Sequence, residues 1–177
     1  MKKLVLTFTL ILVMSLVVVA TAFAAYKDTV VEEYDEVYPV DYCGDVGVGD
    51  FWIYNNEVGT ARLDYFYDND GNLTRVKGHV NGTDHLFAEG YSDKVIDGTF
   101  VANWTDLVDP LTGEPTFSHN SGNWWHLNLP GYGNVVHITG MENYQYDPDT
   151  EEWYSIKWAG LEFVDRVAVC EYLAPPP

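Results

Sequence analysis

The chain has 177 residues, with 27 acidic against 9 basic side chains, two cysteines, 15% aromatics, 15 Gly and 8 Pro. These figures exclude a strongly basic nucleic-acid binder, a collagen-like or low-complexity chain and a small multi-disulfide scaffold, and the length suits one domain rather than two. A formal charge of −18 repels nucleic acid and anionic lipid and attracts cations or cationic partners.

Residues 1–24 have the form of a secretory signal peptide. Lys2 and Lys3 precede an uncharged, largely apolar run from Leu4 to Ala20, and Ala22-Phe23-Ala24 offers small residues where a signal peptidase reads. Cleavage after Ala24 removes two lysines and no acid, which takes the charge from −18 to −20. The expected location is extracellular, by a route the Lys-Lys opening suits to bacterial export, with no stable membrane insertion after cleavage. Residues 25–37 are expected to form a flexible leader, because Asp28, Glu32, Glu33, Asp35 and Glu36 face a single base and like charges extend a chain. Residues 173–177 form a Pro-rich tail.

The remaining residues, 38–172, are punctuated by turn signals. These fall at Asn55-Asn56-Glu57, Asp68 to Asn72, Asn81-Gly82, Asp109 to Gly113, Asn120-Ser121-Gly122, Pro130 to Gly133 and Asp147-Pro148-Asp149. The intervening stretches are rich in Tyr, Trp, Val, Ile and Thr, which suit a pleated surface, and no amphipathic helix is evident. The expected fold is all-β: a single antiparallel up-and-down β-barrel of about eight to ten strands, with a β-sandwich as the alternative. In shape it resembles the secreted up-and-down barrels of lipocalin or allene-oxide-cyclase type. That resemblance implies no site residue, since neither an early Gly-x-Trp nor a late helix is evident.

Two hairpins can be registered. A turn at Asp70-Gly71 sets Tyr67 opposite Thr74, Tyr65 opposite Val76, Leu63 opposite Gly78 and Ala61 opposite Val80. Phe66, Asp64 and Arg62 then face Arg75, Lys77 and His79 on the other side. A four-residue loop at Pro130 to Gly133 puts Leu129, Leu127 and Trp125 on one face with Val136 and Ile138. It leaves Trp124, His126 and Asn128 opposite Thr139, His137 and Val135. Cys43, in an expected first strand Tyr38–Val46, and Cys170, in an expected last strand Val164–Tyr172, are expected to form a disulfide that stitches the seam of the closed sheet.

Function is less legible. Trp124, His126, Asn128 and His137 form the candidate ligand site, an aromatic platform flanked by amide and imidazole groups that suits a sugar ring or a small amphipathic molecule. His126 and His137, facing each other, are weak candidates for zinc if a third ligand arrives. Asp68 and Asp70 are weak candidates for calcium, but the glutamate that closes an EF-hand loop is missing. No cofactor is expected. No catalytic motif is present, so the expected role is a secreted non-catalytic binder of a small molecule or glycan. The alternative is a small isomerase- or cyclase-type enzyme with a polar lumen.

Overall fold

A computed structural model describes residues 25–176; the expected signal segment, 1–24, lies outside the described residues. Seven strands, β1 (Lys27–Tyr42), β2 (Trp52–Tyr67), β3 (Leu73–Ala88), β4 (Tyr91–Val108), β5 (Pro115–Leu129), β6 (Gly133–Asp147) and β7 (Glu152–Val164), form one antiparallel sheet in chain order. A 3-10 turn, Cys43–Val46, follows β1, and a helix, α1 (Arg166–Leu173), follows β7. Every connection is a hairpin or a short loop, so each strand lies beside its neighbour in sequence.

The sheet is not closed. β1 and β7 pair only with β2 and β6, so both remain edges, and the barrel expected from the sequence is an open meander of seven strands. The count falls below eight because three apparent turn signals lie inside strands: Asn55-Asn56 in β2, Asn81-Gly82 in β3 and Asn120-Ser121-Gly122 in β5. The glycines of the latter two, with Gly59 of β2, serve a different purpose. Gly59 pairs with Gly82 across β2 and β3, and Gly122 pairs with Gly140, which pairs with Gly160, across β5 to β7, so two sets of paired glycines flank β4, where Phe100 and Ala102 stand between them. A Cβ built on Gly122 would lie 2.1 Å from the carbonyl oxygen of Val101 on the adjacent strand. Only glycine tolerates so close an approach between backbones, which is how strands of this length curl toward one face.

Two other expectations are corrected. The acidic segment 27–37 is strand rather than flexible leader: Val30, Tyr34 and Tyr38 recur on one face and lie opposite Leu63, Gly59 and Asn55. As an edge, β1 keeps its acids in water, so pairing does not bury them. The expected last strand after Val164 is α1. The Asp165 carboxylate caps it by accepting a hydrogen bond from the Ala168 N–H at 3.0 Å, which satisfies a donor that the first turn leaves unpaired. Among the described residues no helix is long and apolar enough to cross a membrane.

Both registers agree with the sequence reading in their centres. Arg62↔His79 and Asp64↔Lys77 pair as expected, as do Leu127↔Val136 and His126↔His137. Each departs where the structure inserts a bulge. Tyr67 lies opposite Leu73 rather than Thr74, Asn128 opposite Asn134 rather than Val135, and Asn123, not Trp124, opposite Thr139.

The apolar core occupies one end of the inner face. Val169, Cys170 and Leu173 of α1 pack there with Ile53, Leu86, Ile96, Leu127, Val135 and Val136. Cys43 and Cys170 are bridged, with Cα atoms 5.7 Å apart, so the cystine joins the turn after β1 to the helix after β7. Arg166 adds a forked ion pair to Asp41, at 2.7 and 2.5 Å. These contacts span the seam that strand pairing leaves open. Because the bridge closes a loop spanning 127 residues, replacing both cysteines with serine is expected to cost about 4 to 5 kcal/mol on the chain-entropy account. Urea unfolding measures this, and a loss below about 1 kcal/mol would show that helix docking closes the end without the bridge.

Candidate functional site

α1 covers only one end of the inner face; toward the other end of β4–β7 the face is open and aromatic. Side chains two apart on each strand meet there: Trp104 and Asp106 from β4, Ser118, Asn120 and Trp124 from β5, Tyr144 from β6 and Trp153 from β7. They line a trough of about 490 Å³, within the range of small-ligand sites. Trp104 lies on the Cα of Gly78, where any Cβ would come within 2.1 Å of its ring, so the glycine fixes the indole flat against the sheet. Trp124 packs against Trp158, with ring centroids 5.1 Å apart.

Polar groups sit between these aromatic walls. Ser118, nearly buried, donates to Asn120 Oδ1 at 3.0 Å. Burial raises the pKa of Asp106, with the Ser118 hydroxyl pulling the other way. Tyr144 donates to Glu142 Oε2 at 2.6 Å, and that bond together with burial pushes its hydroxyl up to about 12. The Tyr144 hydroxyl is therefore a fixed, un-ionised group at the rim.

The expected site residues separate between two faces. His126 and His137 stand opposite each other, rings 5.1 Å apart, on the outer face with Asn123 and Thr139. Asn128 is exposed at the end of β5. Trp124 does not join them. Strict alternation puts adjacent Trp124 and Trp125 on opposite faces, but a bulge at Trp124 turns both indoles inward, Trp124 to the trough and Trp125 to the core. Period-two counting cannot see that extra residue. Of the missed trough residues, Trp104 carried a signal, since it lies on a strand neighbouring a mid-strand glycine.

Among the described residues no three His, Cys, Asp or Glu side chains converge as a metal set, so His126 and His137 have no third ligand. In the β2–β3 turn, Asp68 Oδ1 accepts the backbone N–H groups of Asp70 and Asn72 at 2.9 and 2.8 Å, which makes it a turn-forming group.

A second polar cluster lies on the inner face of β1–β3. Tyr34 and Tyr38 donate to the two oxygens of Glu57, at 2.8 Å for Tyr34, and Asn55 donates to Asp84 Oδ1 at 2.6 Å. Burial, reinforced by Glu57, raises both tyrosines, Tyr38 to about 12. Asp84 is 0% exposed and directly opposite Glu57. Burial raises its pKa against the opposing pull of Asn55 and Trp125, although the indole does not complete a hydrogen bond to Oδ2, which is buried without a partner.

Compared with protein-family models, curated proteins and solved structures, the chain matches none.

A carboxyl raised on folding stabilises fully below its unfolded value, about 4, and that contribution is lost as the pH rises through the folded value. Asp84→Asn keeps the shape without the charge. It is expected to be at least as stable as the parent at pH 7 to 8, and to lose that relative advantage as the pH approaches 4, read from paired urea midpoints. An advantage that grows as the pH falls would reverse the sign.

Proposed function

We propose that the protein is a secreted, non-catalytic binding protein whose trough takes a carbohydrate. The observation that carries this reading is the pairing of aromatic walls with a polar floor. Trp104, Trp124 and Trp153 present flat faces to the C–H side of a sugar ring, while Asp106, Asn120 and Ser118 supply acceptors and donors for hydroxyls. The surplus of acid, with Glu142 beside the trough, disfavours anionic sugars and suits neutral ones. A small amphipathic molecule fits the same walls less well, because the polar groups lie along the floor rather than at one end.

The disulfide supports an oxidising compartment, in keeping with export. An enzymatic reading draws on Glu57 and Asp84, but Asp84 is fully buried and Glu57 is taken up by two tyrosines, which leaves neither free for a substrate.

Titration with a panel of neutral oligosaccharides, followed by tryptophan fluorescence and calorimetry, tests the proposal. At least one sugar is expected to bind, and Trp124→Ala to weaken it about tenfold or more, a loss of roughly 1.4 kcal/mol, with an unchanged circular-dichroism spectrum. Binding that survives Trp124→Ala and Trp153→Ala, or a panel without response, would overturn the assignment.

A further inference from the structure

The two edges of the sheet are not alike. β1 carries Asp28, Glu32, Glu33, Asp35, Glu36 and Asp41 against Lys27, and it is broken by Pro39 and a bulge. Charge, proline and bulges are the devices that keep an exposed edge from pairing. β7 has only Glu152, Glu162 and Lys157, no proline, and apolar side chains on both faces. Trp153, Trp158 and Val164 lie on the inner face, Tyr154, Leu161 and Phe163 on the outer, and all six are 40–51% exposed. The bulge in β7 falls at Ile156, so Lys157 to Val164 run in unbroken register with β6.

We propose that β7 pairs antiparallel with β7 of a second copy, giving a two-fold dimer with one continuous 14-stranded sheet. Three features select a second copy as the occupant. The apolar side chains within the unbroken stretch, Trp158, Leu161, Phe163 and Val164, stand exposed on both faces of the edge, so an identical strand beside it covers apolar surface on each side of the sheet. Pairing through β7 also places the two acidic β1 edges at opposite ends of the assembly, where charge repulsion between copies is least. Finally, the strand complements itself. A two-fold axis normal to the sheet sets inner residues opposite inner ones and outer opposite outer, so only registers centred on a residue are allowed. Centring on Leu161 sets Phe163 over Ala159 and Trp158 against Val164, with Glu162 opposite the vacant face of Gly160. Centring on Glu162 puts acid on acid, and centring on Gly160 puts Trp158 against Glu162 and Lys157 against Phe163. The Leu161 register is therefore preferred. It places both troughs on the same face of the joined sheet, at opposite ends of the seam, because Trp153 lies eight residues from the axis.

Protein purified after expression of the full chain is expected to sediment at twice its monomer mass at tens of micromolar. Leu161→Cys, at the axis, should form a disulfide-linked dimer on non-reducing gels, while Val31→Cys, on the 61% exposed β1 position, should not. Leu161→Lys should give a monomer with the parental circular-dichroism spectrum. A monomer at every concentration overturns the proposal. So does a mass that grows without limit with concentration, the mark of β1-to-β7 head-to-tail pairing, as does cross-linking of Val31→Cys equal to that of Leu161→Cys. Should Leu161→Lys fail to fold, the parental mass and the two cysteine variants still decide.

Discussion

Helix α1 docks on half of a surface that needs covering. A seven-stranded sheet with one apolar face has to hide that face, and closing into a barrel would do so by joining β1 to β7. This chain instead ties the turn after β1 to the helix after β7, through Cys43–Cys170 and Arg166–Asp41. The clamp buries Ile53, Leu86, Ile96 and Leu127 beneath Val169 and Leu173 and makes one end of the inner face dry. α1 has only eight residues, about 12 Å of helix, whereas the strands run to 18 residues. The remainder of the face stays open, and the trough and the unpaired edges both follow from that shortfall.

The polar groups on the inner face sit between these zones. Tyr34, Tyr38, Asn55, Glu57 and Asp84 form a connected network beside the core, in which each hydroxyl and amide donates to a carboxylate. Such a network fixes the arrangement of β1 to β3 at the expense of a buried carboxyl with one empty oxygen. The trough, on β4 to β7, holds its polar groups more openly and between aromatic rings. One inner face thus carries a locked polar cluster and an accessible one, with paired glycines on β2–β3 beside the first and on β5–β7 beside the second.

Much of the fold was legible. Residue composition points to strands, hairpin logic to the central registers of β2–β3 and β5–β6, and two cysteines behind a segment with the form of a signal peptide to the bridge. The misreadings share a physical origin. Asn81-Gly82 and Asn120-Ser121-Gly122 have turn chemistry, yet their glycines allow backbones to approach inside a sheet, a use that depends on the neighbouring strand and leaves no local mark. The acids of β1 suggested an extended leader because charge density says nothing of a strand edge that water still reaches. The bulge at Trp124 decides which face carries the candidate site. One inserted residue moved that indole from the histidine face to the trough, and His126 with His137 was left as a stacked pair on the outside.

Hydrogen exchange resolved by peptide tests the half-covered sheet most directly. Amides around Ile53, Leu86, Ile96, Leu127 and Val136, beneath the clamp, are expected to exchange slowest, and those of β4 to β6 around the trough, at Trp104, Ser118 and Tyr144, distinctly faster. Reducing the disulfide should accelerate the first group and bring the two together. Uniform protection along the strands, or slowest exchange at the trough end, would contradict a sheet held closed at one end only.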